Sequence, residues 1–278
     1  MNVLNYKAET NFSKQNILEK PNDLGKSNKV ETLRKKEDIQ KMFLQFDNHI
    51  KKAIENKRID DEMLWRRNKL MFFLGINLGL RGSDLCNFRW LDILDGNNNL
   101  VDHLRVRPKK TTRTTIKNSK GKKNKKSNKV IPICDVLVKD DTEYSYQGKY
   151  VDIFFIEEIK KAIEDYMKKY PNFKREDYIF RSRKGNKPIQ RERLCRIIQQ
   201  VADEAGVDVH VGSHTLRKTF GYWRYKNAEN KTDALVKLQK LFGHNSTSTT
   251  MFYIGIGEEE LLQFYNSTKI GVESFFTI

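Results

Sequence analysis

Gly212-Ser213-His214-Thr215-Leu216-Arg217-Lys218-Thr219-Phe220-Gly221 is the stretch on which the reading of this chain turns. Ser213 is a residue type that caps helices. The three-residue spacing then puts His214 and Arg217 on one face, near the helix N-terminus. Free N–H groups and the helix dipole favour a phosphate at such an end. A guanidinium there can fork onto two non-bridging oxygens. Alone, a His-x-x-Arg pair reads more readily as surface decoration or a core ion pair. It becomes informative through what precedes and follows it.

Downstream, Thr232 or Asp233 starts a helix with Leu235, Leu238 and Leu241 inward, and Gly243 ends it. His244 follows at once. An imidazole there can hydrogen-bond a phosphate and assist proton movement, although a plain helix cap is an equally common role. A short helix around residues 248–253 carries Tyr253, nine residues after His244. As one aromatic among others, Tyr253 would be half-buried packing. A phenol has a pKa near ~10 and needs adjacent cations and a base to attack at neutral pH.

Upstream, residues 61–80 predict a helix whose second half, Leu70 to Leu78, is apolar nearly all round and therefore buried. Gly79 and Gly82 punctuate its end. Ser83 then caps a further helix, with Asp84 in the first turn. Arg81 sits at this corner, and a second guanidinium would complete a clamp on a pentacoordinate phosphorus. Two arginines, two histidines and a late tyrosine are the groups needed to attack a phosphodiester with a phenol.

The remaining segments supply scaffold. Residues 1–30 are polar and predict a disordered arm. Residues 31–58 predict a short helical segment with Leu33, Ile39, Met42, Phe43, Phe46, Ile50 and Ile54 at spacings of three and four. Residues 59–278 predict the main domain with a C-terminal helix and tail. Leu100–Arg107 and Lys129–Ile133 read as two strands of a hairpin. From His103 to Val130 there are twelve Lys or Arg and no Asp or Glu, so its tip is a cationic arm. Val151–Lys169 and Gln190–Ala205 read as helices, the first with Phe155, Ile159, Ile163 and Tyr166 inward. The fold class is mainly α with a small antiparallel β-sheet (α+β).

A formal charge of +17 over 278 residues points to a polyanionic partner, most often nucleic acid. The apolar content of 38% supports a real core. Cys86, Cys134 and Cys195 show neither a disulfide framework nor metal spacing and read as buried thiols. This usage suits a reducing cytoplasm. The N-terminus lacks an apolar signal region, and no apolar run is long enough to span a bilayer.

Taken together, Gly79-Leu80-Arg81-Gly82-Ser83-Asp84-Leu85, Arg107-Pro108-Lys109-Lys110-Thr111, the stretch 212–221, Leu241-Phe242-Gly243-His244 and Tyr253-Ile254-Gly255-Ile256 resemble a tyrosine recombinase of the phage integrase family. The resemblance covers roughly residues 61–266 and extends to the compact integrases of Gram-positive phages and mobile elements. It implies a site-specific DNA recombinase or integrase. Arg81 and Arg217 would clamp the phosphate. His214 would act as acid, base or phosphate donor, and His244 would be the second histidine. Tyr253 would form a 3′-phosphotyrosyl link to DNA, and Asp84 would orient His214.

The resemblance also implies a hairpin lysine as general acid toward the 5′-hydroxyl. Lys110 fits best, with Lys109, Lys117, Lys122 and Lys123 as alternatives, because the basic tip is longer than the family pattern. DNA contacts are expected at Lys109, Arg113, Lys117, Lys122, Lys123, Lys125 and Lys126. The short N-terminal part implies a truncated or absent core-binding domain. No cofactor or metal is expected.

The expected partner is double-stranded DNA. The protein would be a monomer or dimer when free and a homotetramer on paired sites, with accessory DNA-bending proteins. The tail after Glu258 would dock on a neighbouring protomer or on its own domain. The location would be cytoplasmic and nucleoid-associated. Two other readings stay open: a DNA-binding accessory protein with a recombinase fold and little catalysis, and a type IB topoisomerase.

Overall fold

The computed structural model describes residues 30–106 and 150–257, the strands Arg113–Ile116 and Tyr144–Gln147, and residues 263, 266 and 267. Residues 1–29, the strand expected at 129–133, Cys134 and most of the tail after Glu258 therefore lie outside the described residues.

Helices dominate, with small antiparallel strand pairs. Helix α1, Lys36–Glu55, turns Met42, Phe46, Ile50 and Ala53 inward. Its partner α2, Ile59–Leu78, buries Leu70, Met71, Phe72, Leu74 and Leu78, as its all-round apolar second half requires. The rings of Phe43 and Phe72 meet edge-on, 5.1 Å apart, and help fasten the two helices. Two single turns follow, α3 at Gly82–Leu85 and α4 at Trp90–Ile93.

Strand β1, His103–Val106, pairs with β4, Val151–Phe154, opposing Leu104 to Ile153 and Val106 to Val151. Strands β2, Arg113–Ile116, and β3, Tyr144–Gln147, form a second antiparallel pair. This corrects one expectation. The helix read over Val151–Lys169 is a strand up to Phe154, and α5 spans Glu157–Lys169. Among the described residues the partner of β1 is that strand. Its four residues, Val-Asp-Ile-Phe, carry both helix-compatible and strand-compatible spacing. The distant β1 decides between them.

Helices α6, Arg191–Glu204, and α7, Ser213–Lys226, bring the chain to the site, and α8, Lys231–Phe242, and α9, Thr247–Ile254, complete it. Three caps differ from expectation. Ser213 and Ser83 lie inside their helices, after Gly212 and Arg81 at the caps. Asn230, rather than Thr232 or Asp233, caps α8 by accepting the Asp233 N–H.

The apolar residues form two clusters. The large one joins α1, α2, α5 and α6 with the β1–β4 pair and reaches Leu216 on α7. The small one joins Phe220, Tyr222 and Tyr225 of α7 to Leu235, Leu238 and Phe242 of α8 and to Ile254 and Ile256. Leu241, expected inward, is only half-buried, and the fully buried ring is Phe242. Gly221 allows the close crossing of α7 and α9, since a Cβ there would lie 2.5 Å from Ile254. Among the described residues, no helix is long and apolar enough to cross a membrane. Cys86 is buried, its thiol pushed up to about 12 by burial, while Cys195 is half-buried.

Candidate active site

The site lies where the two clusters meet, on the N-terminal half of α7. Gly79 closes α2 in the left-handed conformation, φ 64°. A side chain there would collide with the Phe220 ring, 2.6 Å from the position of a Cβ. This tight corner leaves the Gly79 carbonyl free to accept a hydrogen bond from Nη1 of Arg217. Two residues later Arg81 leaves the corner in extended conformation as the cap of α3. Its Nη2 donates to the Phe242 carbonyl at the end of α8, 3.4 Å away.

Arg217 is only 4% exposed. Its guanidinium carbon lies 4.2 Å from the centroid of the Phe242 ring. Burial pulls its pKa down to about 10, with Tyr253 and Asp84 opposing the shift and Arg81 adding to it. Nη2 is buried with no hydrogen-bond partner of good geometry. Leaving a buried cationic donor unsatisfied is costly, so such a group suits an anion that arrives from outside. Asp84 is 1% exposed and close enough to be felt by the guanidinium.

His214 is the exposed member of the pair on α7. Its Nδ1 lies 3.1 Å from the Tyr253 hydroxyl, a hydrogen bond that joins α7 to α9. Gly212 and Thr215 secure the start of α7: the Gly212 N–H donates to Thr215 Oγ1 at 3.0 Å. Tyr253 stands edge-on to both Phe242 and His244, with centroids 5.5 and 5.1 Å away. Burial raises the phenol's pKa, and Arg217 and Arg81 partly offset it. The proton is therefore still on the oxygen at neutral pH, and attack requires an acceptor such as the imidazole it already touches.

His244 follows Gly243, the left-handed cap of α8 at φ 67°. Its Nδ1 lies 3.1 Å from Thr250 Oγ1, and the Thr250 hydroxyl also bonds the Ser246 carbonyl at 3.1 Å. Burial lowers the His244 pKa, and the charges of Arg217 and Arg81 lower it further. This imidazole is neutral at neutral pH.

Arg81, His214, Arg217, His244 and Tyr253 thus converge, with Asp84 behind Arg217. Lys109, Lys110, Lys117, Lys122, Lys123, Lys125 and Lys126 lie outside the described residues, and of Arg113 only its place at the start of β2 is described. Sequence reasoning missed Phe242 as the ring shared by Arg217, His244 and Tyr253. It also missed Thr250 as the partner of His244. Adjacency to Gly243-His244 could have flagged Phe242; no signal marked Thr250.

A phenol touching an imidazole, beside a buried guanidinium with an open donor and a second arginine, is equipped for nucleophilic attack at a phosphodiester. The chain belongs to the phage integrase family, whose model matches residues 47–260. It is 31% identical over 194 residues to the probable integrase/recombinase YoeC of Bacillus subtilis, covering 70% of this chain and 80% of that one. It is 26% identical to the tyrosine recombinase XerC of Thermodesulfovibrio yellowstonii, over 75% of this chain and 56% of that protein. The crystal structure of XerA recombinase aligns with a TM-score of 0.49 at 16% identity, over 86% of this chain and 64% of that one. The match thus spans most of YoeC but little more than half of XerC.

Proposed function

We propose that this protein is a site-specific DNA recombinase that cuts and rejoins double-stranded DNA through a 3′-phosphotyrosyl intermediate. The observation that carries this reading is the Tyr253 hydroxyl, 3.1 Å from His214 Nδ1 and within the field of the buried Arg217, whose Nη2 makes no hydrogen bond of good geometry. The scissile phosphate takes up Nη2 of Arg217 and the guanidinium of Arg81, which stabilise the charge that gathers on its oxygens. His214 receives the phenolic proton as Tyr253 Oη bonds to phosphorus. The bond from phosphorus to the 5′-oxygen breaks, and a hairpin lysine, Lys110 by the family resemblance, protonates the leaving alkoxide. Rejoining reverses each step with a 5′-hydroxyl from another strand, so bond energy is conserved in the phosphotyrosine.

His244, neutral and held by Thr250, completes the phosphate pocket, and Asp84 balances the paired guanidiniums. The basic segment 103–130 tracks the DNA backbone. The assembly on paired sites is a homotetramer, assisted by DNA-bending proteins, in the compartment that holds the nucleoid.

A nicked duplex carrying the recombination site tests this, the site being taken from the ends of the mobile element that encodes the gene. The expected result is a protein–DNA adduct on a denaturing gel, absent from Tyr253→Phe. Retained DNA binding with no adduct would instead favour the accessory protein. Relaxation of arbitrary supercoiled plasmid would favour a topoisomerase.

A further inference from the structure

The six residues before α1 are not a passive lead-in. The Glu31 N–H donates to the His210 carbonyl at 2.8 Å. The Leu33 N–H donates to Thr219 Oγ1 at 3.0 Å, and Trp223 Nε1 donates to the Leu33 carbonyl at 3.0 Å. Lys218 Nζ donates to the Val30 carbonyl at 2.7 Å. Leu33 itself is fully buried. Val30–Lys35 is therefore a strap lying along α7, the helix of His214 and Arg217.

From α7 the strap reaches across to the end of α9. Thr32 Oγ1 donates to the Ile254 carbonyl at 3.3 Å, and Arg34 Nη2 donates to the Gly255 carbonyl. These acceptors sit at the C-terminus of an eight-residue helix. The last carbonyls of any helix lack partners within it, and a helix this short does not hold its shape alone. A cation at this end also meets the negative pole of the helix. Tyr253 is the penultimate residue of α9, so whatever fixes this end fixes the phenol. Lys218, which grips the strap at Val30, also stands 5.7 Å over the Tyr253 ring.

We infer that Thr32 and Arg34 are positioning residues for the nucleophile: the strap preceding α1 sets where the Tyr253 oxygen stands relative to the arginine clamp. The inference rests on Tyr253 being the nucleophile. A displacement of about 1 Å in an attacking group costs on the order of 10²-fold in rate. Releasing two of the several restraints on α9 is accordingly expected to slow attack by roughly 10-fold.

The test compares full-length proteins on the nicked substrate at saturating DNA, alongside DNA affinity and thermal midpoint. The pair Thr32→Val with Arg34→Met is expected to form adduct about 10-fold more slowly with unchanged affinity, while Thr32→Ser with Arg34→Lys keeps the parent rate. Parent-like rates in the first pair would overturn the inference. So would an equal slowing in a core variant chosen to match the thermal midpoint of that pair, because the strap would then act only through stability. An absence of adduct in the parent itself would remove the nucleophile reading and this proposal with it.

Discussion

The cluster around α2 and the cluster around α8 and α9 meet along α7 and contribute different things to the site. The large cluster carries Arg81 just past the buried second half of a 20-residue helix. The small cluster carries Tyr253 on an eight-residue helix, with His244 on the turn before it. Helix α7 belongs to both, Leu216 facing one cluster and Phe220 the other. Arg81 thus stands on the deep core and Arg217 on the helix between the clusters, while the group that attacks stands on the thinner part. A short helix with few buried residues can adjust by small movements, whereas a close-packed core cannot.

The largest expected effect is chemical. Tyr253→Phe should lower adduct formation by at least about 10³-fold, because no other oxygen occupies its place. Denaturing gels of the nicked substrate read this directly. Persistence of an adduct would move the nucleophile elsewhere and dissolve the contrast between the clusters.

Arg217→Met comes next, with a loss on the order of 10²–10³-fold in cleavage. Its thermal midpoint should fall only modestly, since the lost bond to the Gly79 carbonyl is offset by relief of a desolvated guanidinium. Calorimetry of the folded variant checks this. A marked fall in midpoint would mean that Arg217 serves the fold more than the phosphate.

The third pair sharpens the comparison itself. Phe88, fully buried in the large cluster, should cost about 3–5 kcal/mol on replacement by Ala. Its adduct rate per folded molecule should not change. Phe242→Leu should cost less stability yet slow the adduct roughly 10-fold, because the ring supports Arg217, His244 and Tyr253 together. Denaturant melts and single-turnover rates on the two variants would expose any reversal of this order.

The smallest effect is a pH dependence. The His244 pKa is lower in the folded protein than its ordinary 6.5. Above that value both folded and unfolded chains hold a neutral imidazole, and the stability is fully present. As pH falls through about 6.5, the unfolded chain takes up a proton that the folded one refuses, so stability falls. His244→Asn should therefore lose less of its thermal midpoint than the parent between neutral and mildly acid pH. Parallel curves would assign the acid sensitivity to other groups.

Much of the site was legible because its residues sit beside local punctuation. Gly79 and Gly243 mark helix ends, and Arg81 and His244 follow them closely in sequence. His214 and Arg217 share a helix face by spacing alone. The strand at Val151–Phe154 was not legible. It is a four-residue segment whose partner lies across the chain, and its apolar spacing suits a helix equally well. Caps failed for a related reason: Ser83 and Ser213 have capping side chains, but packing moved each helix start one or more residues earlier.

The sequence by itself determined the chemical inventory, its order along the chain, the helices that bear it and the cationic character of the surface. Helical periodicity and glycine punctuation are local, and charge is additive, so one chain read alone reveals them. The tertiary structure alone decided that Phe242 lies beneath Arg217 and that Thr250 holds His244. It also decided that Thr32 and Arg34 reach the end of the helix bearing Tyr253, more than two hundred residues away in the chain. Such contacts depend on how the two clusters close around α7, and no local pattern encodes which distant groups then meet.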